Sequence, residues 1–318
     1  MNSDINKEYV LSENPGDNFD ILSFYKKYDC CLEIDKIDRF DISKKDKVCK
    51  YCGLSEPDVK FTKKPHVIPE LLGKNSYTSN SECDSCNLKF SEYENDLAPF
   101  ISPFLTLTNI KAKKRVPTFA SRKEDKQRAT KIFVKDGQRE IRLETETDLI
   151  IDEDNNTGIL KIRRQSVNSI FIYKALSRIG IILMDSNDIP LYKEFINWLL
   201  DKNDTTYDHL PLLVIRNMIT GKYFDKPHAA MYRLKHDKIE NCVRPQYMLI
   251  IRAANLIMQI PYPMYCGLDA TKPLELELNP DIALYNKSAF YKIFDLSKTN
   301  SKLDEEISFK FTDIECVN

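Results

Sequence analysis

Two cysteine pairs with identical spacing constrain this chain more than any other feature. Cys49 and Cys52 form the first pair, followed by Gly53, and Cys83 and Cys86 form the second after 30 intervening residues. Two residues between thiolates allow both sulfurs to converge on one ion, and four thiolates close the tetrahedron of a structural zinc site. The sequence therefore predicts a Zn2+ ion held by these four residues. The other five cysteines share no such spacing and are interpreted as ordinary thiols.

Composition narrows the class of protein. With 318 residues, 42% hydrophobic and 30% charged, the chain is long enough for two domains and too apolar to be disordered. No uncharged apolar stretch reaches the roughly 18 residues that a bilayer span needs, so we expect no membrane partner. The polar start MNSDINKEYV shows no secretory signal. We therefore expect a cytoplasmic protein whose cysteines stay reduced.

The pattern of elements predicts an α+β protein in four parts. Residues 1–48 are interpreted as an N-terminal lead-in with a possible strand at Cys30 to Phe40, and residues 49–105 as a compact unit around the cysteines. Residues 106–130 are a basic connector, and residues 131–318 a C-terminal α+β domain with antiparallel strands. Alternation and turn signals predict strands at Lys131–Lys135, Glu140–Glu144, Asp148–Asp152, Gly158–Arg163, Leu212–Arg216, Tyr247–Ala253 and Leu256–Ile260, and helices at about 167–182 and 189–200.

The loop between the cysteine pairs contains His66, followed by Val-Ile-Pro69-Glu70. The two β-branched residues after His66, followed by a proline that stops the strand, predict that His66 lies on a short strand. A lone histidine is more often structural than catalytic. Its position inside a zinc-stapled loop favours the catalytic interpretation.

A helical rhythm follows the second pair, with Phe90, Leu97 and Phe100 turned inward. Asn87 and Glu94 are seven residues apart, almost two turns, so they project from the same face of the helix. An amide oxygen and a carboxylate suit a hard ion such as Mg2+. The alternative interpretations are a helix cap for Asn87 and a surface charge for Glu94.

These motifs together resemble the HNH endonucleases, the ββα-metal class. The resemblance covers Cys-x-x-Cys-Gly, His-Val-Ile-Pro-Glu and the run from Glu82 to Leu97. It implies a zinc-stapled treble clef in residues 49–105, in which a hairpin and a helix hold one catalytic Mg2+ or Mn2+ ion. By resemblance, His66 is the general base and Asn87 a ligand of that ion.

One position departs from the family pattern. Many members carry Asp directly before the histidine as a metal ligand, and here that residue is Pro65. Glu94 or Glu70 could substitute, or the ion could rely on Asn87 and water alone. The asparagine that steadies the loop in the family corresponds to Asn75 or Asn80.

Charge is concentrated beside this motif. The segment between Ile110 and Ile132 contains nine basic residues and two acidic ones, although the whole chain carries a formal charge of -1. A charge run taken alone is usually a solvated segment, but one beside a nuclease motif is expected to contact phosphate. The candidate phosphate contacts in the block and just before His66 are Lys63, Lys64, Lys111, Lys113, Lys114 and Arg115.

The resemblance thus predicts a metal-dependent endonuclease that cuts DNA, of the kind found in bacterial anti-phage defence. The C-terminal domain would target or regulate it through a partner protein or a second copy of the chain. Two alternatives stay open: a zinc-stabilised module that binds nucleic acid or protein without cutting, and an RNA-cutting enzyme of the same core.

Overall fold

The protein is described by a computed structural model for residues 9–11, 21–34, 47–121, 129–164, 166–206, 211–219, 224–235, 243–262, 274–284, 291–297 and 303–311. Its helices are α1 (Ile21–Lys27), α2 (Asp84–Leu107), α3 (Ser169–Leu183), α4 (Lys193–Leu200) and α5 (Pro280–Leu284). Its strands are β1 (Tyr9–Leu11), β2 (Tyr28–Glu33), β3 (Phe119–Ala120), β4 (Lys131–Lys135), β5 (Gln138–Arg142), β6 (Leu149–Asp152), β7 (Thr157–Ile162), β8 (Leu213–Met218), β9 (Phe224–Leu234), β10 (Tyr247–Ala254), β11 (Leu256–Pro261), β12 (Leu274–Leu276), β13 (Tyr291–Asp295) and β14 (Glu305–Lys310).

A six-stranded antiparallel sheet with the order β13-β8-β11-β10-β9-β2 forms the largest layer. Successive side chains point to opposite faces, and here both faces are buried. Ile251 joins the apolar cluster that contains α3, whereas Ile250 joins a second cluster with Phe24 of α1 and Ile282 of α5. The sheet is therefore covered by helices on both sides.

Two three-stranded antiparallel sheets, β3-β4-β5 and β14-β7-β6, complete the main architecture, and β1 pairs in parallel with β12. The mixed helix and antiparallel-sheet class is thus confirmed. The predicted strands at 131–135 and 158–163 lie within a residue of β4 and β7. The strand predicted at Cys30 to Phe40 begins two residues earlier and ends at Glu33, and residues 35–40 lie outside the described part.

The eleven-residue strand β9 was not predicted from the sequence. Its first half contains Asp225, Lys226 and Pro227, so the alternation that marks a strand is absent there. It is held in the sheet by antiparallel pairing with β10 on one side and with β2 on the other. Residues 28–33, interpreted as part of a lead-in, thus form an edge strand beside β9.

Helix α2 begins at Asp84, three residues earlier than the sequence predicted, so that Cys86 lies in its first turn, and it continues for 24 residues through Pro99 and Pro103. Pro103 has no N–H, so the carbonyl of Pro99 loses its usual helical partner. The Nε atom of Arg164 donates to that carbonyl at 3.3 Å. This substitution for a missing backbone donor allows α2 to extend across the proline.

Helix α3 lies between α2 and the six-stranded sheet. It packs against both α2 and β9, and its buried residues belong to the same apolar cluster as Phe90 and Leu97 of α2. Gly180 lies against the ring of Tyr262, where a β-carbon would clash with the phenol oxygen. One continuous core therefore joins the cysteine-rich unit to the C-terminal residues, and the domain boundaries at 48, 105 and 130 stay a prediction. Within the described ranges no helix has the length and apolarity to cross a membrane.

Candidate functional site

The four predicted cysteines converge in the structure. All four sulfurs lie within 4.8 Å of one another, and the Cys52 and Cys83 sulfurs are 3.8 Å apart. A tetrahedron with metal–sulfur bonds of ~2.3 Å has edges of about 3.8 Å. The first knuckle is closed by hydrogen bonds from Gly53 N to Cys49 O at 2.8 Å and from Cys49 N to Leu54 O at 2.9 Å. Gly53 has a φ of +74°, which glycine adopts without strain.

Electrostatics of the cluster also favour a bound cation. A hydrogen bond from Cys86 lowers the pKa of the Cys49 thiol well below its usual value. Burial, and then the charge on Cys49, raise the pKa of Cys52 to about 11. Four thiolates cannot form together without a positive ion between them. The donor set fits zinc, and the cluster could bind a zinc ion.

His66 lies on a short hairpin between the two cysteine pairs. It bridges Thr78 in antiparallel fashion, with Val67 N donating to Tyr77 O at 2.8 Å and Ser79 N to Pro65 O at 3.0 Å. This pairing agrees with the short strand predicted at His66. The His66 side chain is 29% exposed, so its ring can be reached from solvent.

Asn75 fixes the orientation and tautomer of the His66 ring. Its Nδ2 donates to the carbonyls of Ile68 and Gly73, each at 3.0 Å, so its Oδ1 must be the atom that faces His66. That Oδ1 accepts from Tyr77 N at 3.1 Å and lies 3.2 Å from His66 Nδ1. The Nδ1 atom therefore carries the proton in the neutral ring. This leaves Nε2 with a free lone pair.

Glu70 lies beside that nitrogen. It begins a 3-10 turn, Glu70–Leu72, directly after Pro69. Its Oε2 is 3.7 Å from His66 Nε2 and 3.8 Å from Lys113 Nζ. A carboxylate, an imidazole and an ammonium group thus meet at one point of the surface.

Glu94 faces the same region from α2, but it is paired rather than free. Its Oε1 accepts from Arg178 Nη1 at 2.6 Å. Burial raises the pKa of Glu94, while the charges of Arg178, His66 and Lys113 oppose that rise. The interpretation of Glu94 as a simple surface charge is therefore wrong.

Asn87 lies within the first turns of α2. Its N–H donates to Cys83 O at 3.0 Å, and Cys83 is the N-cap residue, so Asn87 is not a cap. Its half-buried carboxamide makes no hydrogen bond to any residue in the described ranges. The amide oxygen is thus available to an ion or a substrate.

The candidate phosphate contacts are exposed on two segments that flank His66. Lys63 and Lys64 precede it, and Asp84 Oδ1 accepts from the Lys63 backbone N–H at 2.9 Å. Lys74 N donates to Lys111 O at 2.8 Å, which brings the second segment against the loop that follows His66. That segment comprises Lys111, Lys113, Lys114 and Arg115, all exposed. Of the remaining cations of the basic run, Lys131 lies on β4, and four lie outside the described residues: Arg122, Lys123, Lys126 and Arg128.

The most important residue that sequence reasoning missed is Arg178 of α3. It lies in a run of apolar residues, more than a hundred positions after His66. The only local signal was a cation in a helix that is too apolar to be exposed to solvent on all sides. Such a cation is expected to be buried, and a buried cation needs hydrogen-bonding or charged partners. Which partners it finds depends on packing between distant segments.

Comparison with known proteins agrees with the motif. Residues 49–97 match the model of a family described as HNH endonuclease. The matched segment contains all four clustered cysteines together with His66, Asn75, Asn87 and Glu94. Searches among curated proteins and among solved structures found no significant match. An HNH endonuclease segment suggests nuclease activity and nucleic-acid binding.

Proposed function

We propose that this chain is a metal-dependent HNH endonuclease that hydrolyses phosphodiester bonds in DNA, built on a zinc-stapled treble clef. The observation that carries the proposal is the His66 ring, partly exposed and held through Nδ1 by Asn75, within the family-matched segment. A general base needs this arrangement of a fixed ring and a free nitrogen.

His66 takes the proton of the attacking water at Nε2. Hydrogen bonding to Asn75 keeps the second nitrogen protonated throughout. The ring is therefore oriented without having to move before the reaction.

Oxygen ligands for a catalytic Mg2+ or Mn2+ ion come from Asn87 and from Glu70 or Glu94. Hard divalent ions prefer carboxylate and amide oxygens and retain several waters. Two carboxylates near His66 fit that preference, and they offer the negative charge that Pro65 cannot supply. When bound, such an ion would supply positive charge where the leaving oxygen becomes anionic.

The cations around the loop bind the nucleic-acid substrate. Lys63 and Lys64 on one side, and the segment 111–115 on the other, present exposed ammonium and guanidinium groups beside His66. Positive charge at a catalytic edge binds backbone phosphates without sequence preference. The C-terminal region would target or regulate cutting through a partner protein or a second copy, in a cytoplasmic, anti-phage setting.

A plasmid-nicking assay tests the proposed activity. Wild-type protein should nick supercoiled DNA with Mg2+ or Mn2+ and not with EDTA. His66→Ala should lose this activity while circular dichroism and zinc content stay unchanged, because the ring has no role in the zinc site. Retained nicking by that variant would remove His66 from the reaction.

The competing candidate is a zinc-stabilised binding module that does not cut. Pro65 in place of an acidic ligand and the formal charge of -1 favour it. A module of this kind would leave the plasmid intact with every metal while still binding nucleic acid. A labelled RNA strand in the same assay separates DNA cutting from an RNA-cutting enzyme of the same core.

A further inference from the structure

We propose that Arg178 of α3 is a positioning residue of the nuclease site, which holds the backbone of His66 and the carboxylate of Glu94 in fixed relation. This inference rests on the proposed function. It extends the site beyond the family-matched residues 49–97, because Arg178 lies far outside that segment.

The guanidinium joins three segments that are separate in the sequence. Its Nη2 donates to the backbone carbonyl of His66 at 2.7 Å and to Glu82 Oε2 at 3.0 Å. Its Nη1 donates to Glu94 Oε1 at 2.6 Å. These acceptors lie on the hairpin, on the segment before Cys83 and on α2. One planar cation thus sets the distance between the proposed base and a proposed metal ligand.

Arg178 is itself held firmly. Its side chain is 2% exposed, and the guanidinium lies over the ring of Phe90, 5.6 Å from the centroid. The phenol of Tyr51 donates to the Arg178 carbonyl at 2.9 Å, and Lys50 donates to the carbonyls of Ile182 and Met184 at 2.9 and 2.8 Å. The zinc knuckle thereby fixes α3, and α3 fixes the guanidinium.

A buried cation with two carboxylates is poor evidence of a purely stabilising role. Burial of charge is costly, and well-packed apolar residues often give equal stability. What apolar residues could not do is hold the His66 carbonyl and the Glu94 carboxylate at hydrogen-bond distance. A displacement of about 1 Å in a catalytic group can cost roughly a hundredfold in rate.

The same helix provides a matched control. Lys174, one turn before Arg178, is also buried and donates to the carbonyls of Trp198, Asp201 and Asp204 at 2.7, 2.6 and 2.8 Å. None of these acceptors belongs to the hairpin or to α2, and the contact of Lys174 with α2 is to the ring of Tyr93, whose centroid lies 5.8 Å from Nζ. Lys174→Met should therefore reduce stability without changing the rate per folded molecule.

The first measurement compares steady-state cleavage by wild type, Arg178→Lys, Arg178→Met and Lys174→Met, each normalised to bound zinc. For Arg178→Met we expect kcat to fall about a hundredfold, with KM for DNA changed less than about twofold, because the ring is misplaced but the surface cations remain. Arg178→Lys should give an intermediate loss of kcat, since an ammonium group cannot reach all three acceptors. A wild-type kcat in Arg178→Lys would overturn the proposal. If Arg178→Met does not fold, the kcat of Arg178→Lys alone tests the proposal.

The second measurement does not depend on cleavage. Amide hydrogen exchange at Val67 and Ser79, which hold the hairpin together, should accelerate in Arg178→Lys more than in Lys174→Met. Equal acceleration in the two variants would mean that Arg178 acts on stability alone and would overturn the proposal. If wild type cuts neither DNA nor RNA with any metal, the proposed function fails. The exchange comparison then decides by itself whether Arg178 positions the hairpin.

Discussion

At the scale of single residues, Asn75 determines what His66 can do. Its carboxamide nitrogen donates to two backbone carbonyls of the loop. Its carboxamide oxygen accepts from Tyr77 N and faces His66 Nδ1. The sequence left Asn75 and Asn80 as alternatives for the loop asparagine. The hydrogen bonds support Asn75, and its role in the reaction stays a proposal.

Substitution of Asn75 should affect stability and rate together. Asn75→Ala leaves two buried carbonyls and a buried N–H without partners, which costs about 1–3 kcal/mol for each unsatisfied group. The Nδ1 proton also loses its acceptor, so we expect kcat to fall at least about tenfold. Urea unfolding of zinc-loaded protein and nicking rates measure the two effects.

Ser76→Ala is the matched control, because Ser76 is the exposed neighbour of Asn75 in the same loop. Its unfolding free energy should stay within about 0.5 kcal/mol of wild type. A wild-type kcat in Asn75→Ala, with the stability loss present, would show that ring orientation does not limit the reaction.

At the scale of elements, the cysteine knuckle at residues 49–54 supports more than its own loop. Helix α2 starts beside the knuckle, and Lys50 and Tyr51 donate to the last turns of α3. Cations near a helix C-terminus stabilise the helix by interaction with its exposed carbonyls. Loss of the metal should therefore loosen α3 as well as the hairpin.

Cys83→Ser tests this dependence. Binding of structural zinc contributes free energy on the order of 10 kcal/mol to folding, which is comparable to the whole stability of a typical domain. We expect the variant to lose bound zinc, helical circular dichroism and resistance to limited proteolysis at both α2 and α3. Cys31→Ser, at an exposed thiol of β2, should retain all three. Proteolysis confined to residues 49–83 in Cys83→Ser would contradict the dependence of α3 on the knuckle.

Elements with a local signature were predictable, and elements fixed by distant partners were not. The hairpin β4–β5 and the pair β10–β11 show apolar patterns separated by short turns, and their register follows from those turns. The outer strands β13 and β14 depend on pairing with β8 and β7, which lie far away in the sequence. The same holds for the site: cysteine spacing reveals the metal cluster, whereas the contacts of Arg178 arise only when α3 packs against α2.

At the scale of the whole molecule, a chain with a formal charge of -1 still gathers positive charge at one place. The hydrogen bond from Lys74 to Lys111 brings residues 111–115 beside the loop of His66, and Lys113 reaches Glu70. Because exposed charges are screened beyond about 8–10 Å in physiological salt, a phosphate near His66 experiences mainly these neighbours. Net charge therefore says little about what binds here.

The salt dependence of DNA binding tests this local field. The logarithm of the binding constant falls with the logarithm of salt concentration with a slope of about -0.9 per phosphate contact. The test uses a His66→Ala background, which allows binding without cutting. In that background, substitution of Lys113, Lys114 and Arg115 by Gln should reduce the steepness of the slope by about 3. It should also weaken binding to all duplex sequences alike. The control changes three exposed cations on other elements to Gln: Lys193 of α4, Lys292 of β13 and Lys310 of β14. Fluorescence anisotropy over a salt series should show little change in the slope for the control. Equal changes of the slope in both triple variants would mean that DNA is held by diffuse charge instead of by the surface beside His66.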